Sequence, residues 1–304
     1  MIPLCLVTGF LGSGKTTFLL QVLKQQQGRR LVFLVNDFAG LDVDGRRLAG
    51  AGADVVAVVG GSIFCRCRVS EFIARLEAIA HQPAAGGPPD GVVVEASGLA
   101  DPRVAEQMLR ETGLDQAYSL NSIVAIVDPG SFLKLLAVLP GVRAQVEAAD
   151  VALVNKTDLY DEARTALAER ELRAIKPRLR ILRTVRCGVE LDVFGPPESR
   201  AIEGGYARGA DPGHVTLTVP LARQVNLPAL RAAIRELAPR LDRLKGFVRA
   251  DGRTFYVDCS HAGLDVESAP EQAGASGLTI IAPVDCAEQA QAFAGKLAGG
   301  GFDA

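Results

Sequence analysis

The sequence predicts an α/β fold with a mostly parallel sheet, followed by a smaller α+β domain. Through the first two-thirds of the chain, short apolar runs alternate with amphipathic helical patterns, and no long block contains strands alone. This alternation favours a parallel sheet covered by helices on both faces. Residues 195–213 hold three prolines and five glycines without periodicity, so we interpret them as a linker. The predicted domains are 1–194 and 214–304.

The elements of the first domain follow one another in regular order. Two Asp-Pro pairs, at 101–102 and 128–129, are typical of helix starts, because Asp caps the helix and proline fits its first position. Strands are predicted at 4–7, 31–35, 55–59, 92–94, 122–127, 151–154 and 180–183. Helices are predicted at 17–27, 72–80, 101 to about 110, 132–138 and 161–175.

The second domain has a different pattern. Asp251-Gly252 lies between two strand-like runs and is a strong hairpin signal. The pattern therefore favours an antiparallel sheet with helices. Strands are predicted at 215–219, 246–250, 253–257 and 278–282, and helices at 227–237 and 287–297.

Composition fits a folded chain of 304 residues with a sizeable core. Hydrophobic residues make up 48% and charged residues 22%, and a net charge of −2 gives no sign of a nucleic-acid partner. No apolar run approaches the roughly 20 residues of a membrane span, and no basic flank marks a signal peptide. We therefore expect no membrane partner. Six cysteines are too few for a disulfide framework, which favours reduced thiols and a cytoplasmic location.

The strongest motif is a phosphate-binding loop at Gly9–Thr16. Its sequence, GFLGSGKT, matches G-x-x-x-x-G-K-[ST] at every fixed position, between a predicted strand and a predicted helix. Backbone N–H groups in such a loop converge on anionic oxygens, and the helix N-terminus adds positive potential. Lys15 is expected to reach the terminal phosphates, and the Thr16 hydroxyl is expected to bind Mg²⁺. The expected phosphate contacts are Gly12, Ser13, Gly14, Lys15, Thr16 and Thr17.

A second motif, Asn155-Lys156-Thr157-Asp158, follows the predicted strand 151–154. Guanine presents the donors N1–H and N2–H₂, and the carboxylate of Asp158 can accept from both, which separates guanine from adenine. Lys156 can lay its stem along the base plane, and Asn155 can join this loop to the phosphate loop. The alternative is that Asp158 only caps a helix, but a position at a strand end favours ligand binding.

A third motif is Glu95-Ala96-Ser97-Gly98, at the end of the predicted strand 92–94. Glu95 can hold Mg²⁺ through a water, and the N–H of Gly98 can meet a γ-phosphate and register its loss. Asp37 lies where an early switch loop is expected, within reach of Mg²⁺ or its water. Lys15, Asp37 and Glu95 are thus the candidate catalytic residues. No glutamine is obviously placed to orient the attacking water, so we predict slow turnover.

With these motifs, the sequence resembles the CobW-type GTPases, a metallochaperone group of P-loop GTPases that includes UreG and HypB more distantly. The resemblance covers nearly the whole chain. It extends to Asn36-Asp37-Phe38, to Leu99–Pro102 and, in the C-terminal domain, to Lys245–Val248. It implies a P-loop GTPase domain, Mg²⁺-dependent GTP hydrolysis, and transfer of a metal or metal cofactor to a client protein.

The chain departs from the family at the usual metal motif, C-x-C-C. When that motif is laid over Gly61–Cys67, its first two cysteines fall on Ser62 and Phe64. Only Cys65 matches, and Cys67 is an additional thiol. The usual metal site is therefore remodelled.

The acidic residues of the family pattern also differ. Asp37 replaces the usual Glu. Gly40 stands where the family commonly has another Glu, and Asp42 is a candidate to replace that missing acid. The histidine-rich stretch of many members is absent from the sequence.

Two thiolates spaced like Cys65 and Cys67 can face one ion but cannot close a tetrahedral zinc site alone. Asp37, Asp42 or a client ligand can complete it. A homodimer through the GTPase domain can instead bring two pairs together, which suits Zn²⁺ or an iron–sulfur cluster. Co²⁺ is a further candidate, and the alternative is that the pair has no role.

The remaining cysteines give weaker signals. Cys5 lies on a predicted core strand and Cys187 follows one, so we interpret both as small buried hydrophobes. Asp258-Cys259-Ser260-His261 contains ligand types, but a polar turn after a strand is the preferred interpretation.

Three functions follow from these observations. The first is a GTP-driven metallochaperone with Cys65 and Cys67 as ligands. The second is a GTPase activator of a corrinoid- or metal-dependent enzyme, without a metal of its own. The third is ATP-dependent phosphoryl transfer, against which Asp158 argues.

Overall fold

A computed structural model of the chain describes residues 1–37, 48, 54–59, 69–81, 87–98, 100–196, 214–260, 263–269 and 276–303. The chain divides into two compact units, each with its own sheet. The sheets lie on either side of the predicted linker in the sequence, and residues 197–213 of that linker lie outside the described residues. Among the helices of the described ranges, none has the length and apolarity that a membrane crossing needs.

The first unit is built on a seven-stranded sheet in the order β3-β2-β4-β1-β5-β6-β7. The pairs β2–β4, β4–β1, β1–β5, β5–β6 and β6–β7 are all parallel. The predicted parallel sheet is therefore confirmed. Its strands are β1 Ile2–Thr8, β2 Leu31–Asp37, β3 Asp54–Val59, β4 Gly91–Glu95, β5 Tyr118–Val127, β6 Val151–Val154 and β7 Arg180–Arg183.

Helices cover both faces of this sheet. The helices are α1 Lys15–Gln25, α2 Val69–His81, α3 Ala105–Glu111, α4 Pro129–Val138, α5 Pro140–Ala148 and α6 Glu162–Ile175. Side chains alternate between the faces along β1, so Leu6 joins the cluster that includes Leu76 of α2, and Val7 joins the cluster that includes Leu19 of α1. The core is therefore split into two layers by the sheet.

The helix starts agree with the predicted caps. Asp128 accepts a hydrogen bond from the N–H of Gly130, and Asp161 accepts one from the N–H of Arg164. Asp101 also caps, but it opens a 3₁₀ turn at Pro102–Val104 before α3, so the helix predicted from residue 101 is wrong in its first turn. Helix α5 was not predicted, because its opening Pro140-Gly141 is typical of a turn.

The second unit is a five-stranded antiparallel sheet in the order β11-β10-β9-β12-β8. Its strands are β8 His214–Leu221, β9 Arg243–Ala250, β10 Arg253–Ser260, β11 Gly263–Ala269 and β12 Ser276–Pro283, with helices α7 Leu227–Leu237 and α8 Ala287–Ala298. The apolar side chains of both helices pack on one face of the sheet. The predicted small α+β arrangement is confirmed.

Two details of this unit test the sequence predictions. Asp251 and Gly252 have φ angles of 50° and 71°, which is the two-residue hairpin turn that the dipeptide predicted. The predicted polar turn at residues 258–261 is wrong, because Asp258, Cys259 and Ser260 continue strand β10. Cys259 is buried against the helices, while Asp258 on the opposite face pairs with Arg243. His261 lies outside the described residues.

Candidate functional site

The predicted motifs meet at one edge of the first sheet. The phosphate loop follows β1, Glu95 ends β4, and Asn155–Asp158 follows β6. Strands β4, β1, β5 and β6 are neighbours in that order. Because parallel strands end at the same edge, the motifs lie side by side where open α/β sheets bind ligands.

Glycines let neighbouring chain segments pack directly beneath the phosphate loop. Gly9 has φ 135° and Gly14 has φ 115°, a backbone region that side chains with a Cβ rarely adopt. A Cβ on Gly9 would lie 2.3 Å from the carbonyl oxygen of Ile126, and one on Gly14 would lie 2.5 Å from Nδ2 of Asn155. Packing within the protein therefore sets the shape of the loop.

Lys15 and Thr16 begin helix α1 and are each only 3% exposed. The ammonium group of Lys15 donates to the carbonyl oxygens of Gly9 and Phe10, at 2.9 and 3.3 Å. These contacts hold the charge inside the phosphate loop. The nearby Ser13 hydroxyl is buried and has no hydrogen-bond partner among the described residues, which fits a loop that receives a polar ligand.

Glu95 and Gly98 lie on the adjacent strand end. Glu95 is 4% exposed, and its backbone is in register with Val7 of β1. A Cβ on Gly98 would lie 2.8 Å from the backbone nitrogen of Leu11, so this segment contacts the phosphate loop. The carbonyl oxygens of Gly98 and Ala100 accept hydrogen bonds from the buried amide of Gln145, at 2.9 and 3.4 Å. This role of Gln145 was not predicted.

The donor set at this edge suits Mg²⁺, which prefers hard oxygen ligands. The buried Glu95 carboxylate and the buried Thr16 hydroxyl supply such oxygens. Asp37 is the last residue of β2, which pairs with β4; its side chain lies outside what the structure describes.

Asn155 joins three loops. Its contact with the phosphate loop was predicted, and its contacts with Thr184 and Cys187 were not. Its amide nitrogen donates to the carbonyl oxygen of Ser13 at 2.9 Å. Its amide oxygen accepts from the Thr184 hydroxyl at 3.1 Å and from the N–H of Cys187 at 2.9 Å. The side chain is 2% exposed, so these bonds are shielded from water.

The segment Thr184–Cys187 after β7 was missed by the sequence analysis. Arg186 and Cys187 both have positive φ angles, 50° and 54°, which marks a tight turn of unusual conformation for residues with a Cβ. The Cys187 thiol donates to the carbonyl oxygen of Gly14 at 3.5 Å, and burial raises its pKa to about 12. One signal in the sequence could have indicated this segment: it directly follows a predicted strand, and other predicted strands of the same sheet are followed by nucleotide-binding motifs.

Asp158 and Lys156 have different surroundings. Asp158 is exposed, so its carboxylate is accessible to the purine base of a nucleotide. Lys156 instead places its ammonium group 2.8 Å from the carboxylate of Asp128, the cap of helix α4. The sequence showed the cap but not this ion pair.

The predicted transition-metal ligands Cys65, Cys67 and Asp42 lie outside the described residues. In the part of the chain that the structure describes, no group of three or more His, Cys, Asp or Glu side chains could hold a metal ion.

Comparisons with known proteins identify relatives of this chain. The zinc chaperone CobW of Pseudomonas aeruginosa is 27% identical over 305 residues, which cover 84% of this chain and 79% of that protein. The zinc chaperone CobW of Sinorhizobium is 29% identical over 188 residues, but the match covers only 53% of this chain and about half of that protein, 52%. A crystal structure of Zn(II)-bound YjiA GTPase from E. coli has a TM-score of 0.47 at 20% identity, over 97% of this chain and 98% of that one.

The family described as CobW/HypB/UreG, nucleotide-binding domain, matches residues 3–183. This range contains β2 to β7, all of β1 except Ile2, and the three motifs at the carboxyl edge of the sheet. The resemblance that those motifs indicated is thereby confirmed, and the chain belongs to the CobW/HypB/UreG family.

Proposed function

We propose that the protein binds and hydrolyses GTP with Mg²⁺ and uses this cycle to deliver a metal ion to a client protein. One observation carries the proposal: Asn155 links the phosphate loop, the Asp158 loop and the Thr184–Cys187 segment through bonds of 2.9–3.1 Å. A nucleotide has a charged end and a base end, and these contacts set the spacing between the groups that would hold each end.

The phosphate end is matched by charge and backbone donors. The loop glycines and the start of helix α1 provide N–H groups for phosphate oxygens, and Lys15 is already held within the loop. Thr16 and Glu95 would hold Mg²⁺, the first directly and the second through a water. A bound Mg²⁺ supplies positive charge to the β- and γ-phosphates as charge develops in the transition state.

The base end is matched by the exposed carboxylate of Asp158, which can accept both guanine donors. Adenine offers no such pair of donors on that edge, so the same carboxylate disfavours ATP. Recognition by Asp158 therefore favours GTP over the ATP that the phosphoryl-transfer alternative requires.

Hydrolysis by this site depends on positioning and charge. Lys15, Glu95 and Asp37 are the proposed catalytic residues, and Gly98 is the proposed sensor of the γ-phosphate. Gln145 does not act as a free water-orienting group, since its amide nitrogen is engaged with the carbonyl oxygens of Gly98 and Ala100. We therefore expect slow intrinsic turnover.

The metal assignment draws on the relatives and on two thiols. Two relatives are named zinc chaperones, which makes Zn²⁺ the first cargo to test, ahead of Co²⁺ or an iron–sulfur cluster. Cys65 and Cys67 are the proposed ligands, completed by Asp37, Asp42, a client or a second copy of the chain. Loss of the γ-phosphate would change the segment that carries Gly98 and so alter metal or client affinity.

The experiment is a zinc titration of the apo protein in the presence of GTP or GDP, with hydrolysis measured on the same samples. Wild type should bind Zn²⁺ stoichiometrically, with an affinity that differs between GTP and GDP. The double variant Cys65→Ser, Cys67→Ser should lose zinc binding and keep GTP binding. Cys286→Ser, which removes a partly buried thiol of the second unit, is the matched control and should behave as wild type.

Two results would contradict the proposal. Retention of full zinc binding by the double variant would remove Cys65 and Cys67 as ligands. Absence of stoichiometric metal from wild type, together with nucleotide-dependent binding of a client, would instead support the activator function.

A further inference from the structure

The ion pair between Asp128 and Lys156 joins the cap of helix α4 to the proposed guanine-binding loop, residues 155–158. Its ammonium and carboxylate groups are 2.8 Å apart. The side chain of Lys156 is 17% exposed and that of Asp128 is 4% exposed. Charge pairs this well shielded interact more strongly than exposed pairs. The pair therefore constrains the position of Lys156, which is two residues before Asp158 in the same loop.

Asp128 uses its two carboxylate oxygens in different directions. Oδ1 accepts from the N–H of Gly130 at 2.8 Å and caps helix α4, while Oδ2 accepts from Lys156 at 2.8 Å. Tyr160 also lies near this carboxylate: burial raises the pKa of its phenol, and the Asp128 carboxylate raises it further. One buried carboxylate thus contacts both the start of α4 and the loop after β6.

The backbone of Lys156 gives an independent reason for such a constraint. Its φ angle is 62°, in the left-handed region that residues with a Cβ adopt at a cost. This turn lies between the buried Asn155 and the exposed Asp158. A loop that holds an unfavourable conformation needs contacts that keep it there.

Arg164 provides a second connection between the same segments. Its guanidinium donates to the carbonyl oxygens of Pro129 and Gly130, at 3.1 and 2.8 Å, and lies 5.7 Å from the centre of the Tyr160 ring. The start of α4 is therefore joined to the chain after β6 at two points, through the charge pair with Lys156 and through Arg164 in the first turn of α6.

We propose that Asp128 is a positioning residue for base recognition: its charge fixes Lys156 and thereby holds Asp158 in the orientation that reads guanine. This inference rests on the proposed function. It assigns the purine preference to a pair of residues, of which only Lys156 belongs to the tetrad Asn155–Asp158.

The test separates this role from helix capping. Asn caps a helix as well as Asp does, so Asp128→Asn keeps the cap and the shape but removes the charge. Calorimetry with GDP and ADP should show GDP bound at least about tenfold more weakly, as loss of a shielded charge pair predicts. ADP affinity should be unchanged, so the guanine-to-adenine ratio falls.

A double-mutant cycle tests whether Lys156 transmits the effect. In a Lys156→Met background, Asp128→Asn should change GDP affinity less than about twofold. Asp161→Asn is the matched control, since Asp161 caps the neighbouring helix α6 and is exposed; it should leave both affinities unchanged. Asp128→Ser, which also retains a capping oxygen, should reproduce the loss seen with Asp128→Asn.

The outcomes are distinguishable from those of the proposed function. If Asp128→Asn and Asp128→Ser keep the wild-type preference for GDP, the inference is overturned while guanine binding stands. An equal effect of Asp128→Asn with and without the Lys156 side chain would also overturn it. If wild type itself does not discriminate GDP from ADP, the proposed function fails first.

Discussion

The two sheets bury polar side chains in different places. In the first unit many of these side chains lie at or just beyond the carboxyl ends of strands, including Thr8, Ser13, Lys15, Thr16, Glu95, Ser97, Asp128 and Asn155, whereas Asp150 precedes β6 and Thr165 lies within α6. In the second unit, Arg243, Lys245 and Thr279 are just as buried but lie within strands. Lys245 is in register with both Asp258 and Thr279, so the polar row crosses the sheet.

The difference lies in what these groups contact. In the second unit, Arg243 pairs across strands with Asp258 at 2.9 Å, and the His214 ring at the start of β8 lies 3.1 Å from the Asp242 carboxylate, just before β9. At the first sheet's edge, Lys15, Gln145 and Asn155 bond instead to backbone carbonyls of loops. Burying a polar group is costly without a partner in either case. Loop contacts of this kind shape a site for a ligand, whereas cross-strand pairs stabilise the sheet.

Replacing Lys15 should give the largest functional effect. Lys15→Ala removes the charge held inside the phosphate loop, so GTP hydrolysis should fall about 100-fold or more, as for other electrostatic groups at active sites. GTP affinity should fall as well, because the terminal phosphates lose a cation. Lys24→Ala, on the exposed side of the same helix, is the control. The rate of GTP hydrolysis and the GTP affinity from calorimetry would be compared for the two variants. Equal values for Lys15→Ala and Lys24→Ala would contradict the account.

Breaking the cross-strand pair should affect stability instead. Asp258→Asn removes the carboxylate charge that lies 2.9 Å from the guanidinium of Arg243, a side chain that is only 7% exposed. The free energy of unfolding should fall by about 3 kcal/mol, near the lower end for buried pairs, because Asp258 is itself 25% exposed. Asp265→Asn, at the register position opposite Asp258 and exposed, should cost much less. Denaturant titration measures both, and GTP affinity should be unchanged.

A smaller effect should appear in the dependence of stability on pH. Burial raises the pKa of Cys187 from 9.0 to about 12, and burial with the Asp258 charge raises that of Cys259 to about 11. Above pH 9 the unfolded thiols lose protons that the folded state retains, so stability should decrease as pH rises through the folded values. Below pH 9 these thiols contribute no slope.

The measurement is urea unfolding at about pH 7, 9 and 10. Cys187→Ala should make the alkaline decrease shallower, leaving the part that comes from Cys259, whereas Cys286→Ala, which removes a partly exposed thiol, should leave the whole decrease in place. Equal slopes in the two variants would count against burial of the Cys187 thiol as the cause.

Local signals in the sequence predicted most of the fold. Strands 151–154 and 180–183 and helix 227–237 have the predicted bounds, because apolar runs there end at clear turns or caps. Strand β11 was missed, since the glycine and charged residues of GLDVESA are poor strand formers. It forms because Leu264 and Val266 pack on the core of the second unit.

Within the candidate site, motifs predicted the groups proposed to face a ligand, but not the groups that hold those side chains and loops in place. Asn155 was expected to contact the phosphate loop, since both belong to recognisable patterns. The Asp128–Lys156 pair joins residues 28 apart, and Gln145 acts from a helix that the sequence did not reveal. Such contacts depend on how strands are ordered in the sheet, which the motifs alone do not specify.

The central claim is that Asp158 binds guanine selectively at the edge of the first sheet. Calorimetric measurement of the affinities for GTP, ATP and xanthosine triphosphate (XTP) tests it most directly. Wild type should prefer GTP over ATP at least about 100-fold, because two hydrogen bonds to a carboxylate contribute about 1.5–3 kcal/mol each, or about 3–6 kcal/mol together. Asp158→Asn should lose this preference and gain affinity for XTP, since its amide can donate to the carbonyl that xanthine carries at C2. Equal binding of GTP and ATP by wild type, or an unchanged preference in the variant, would contradict the account.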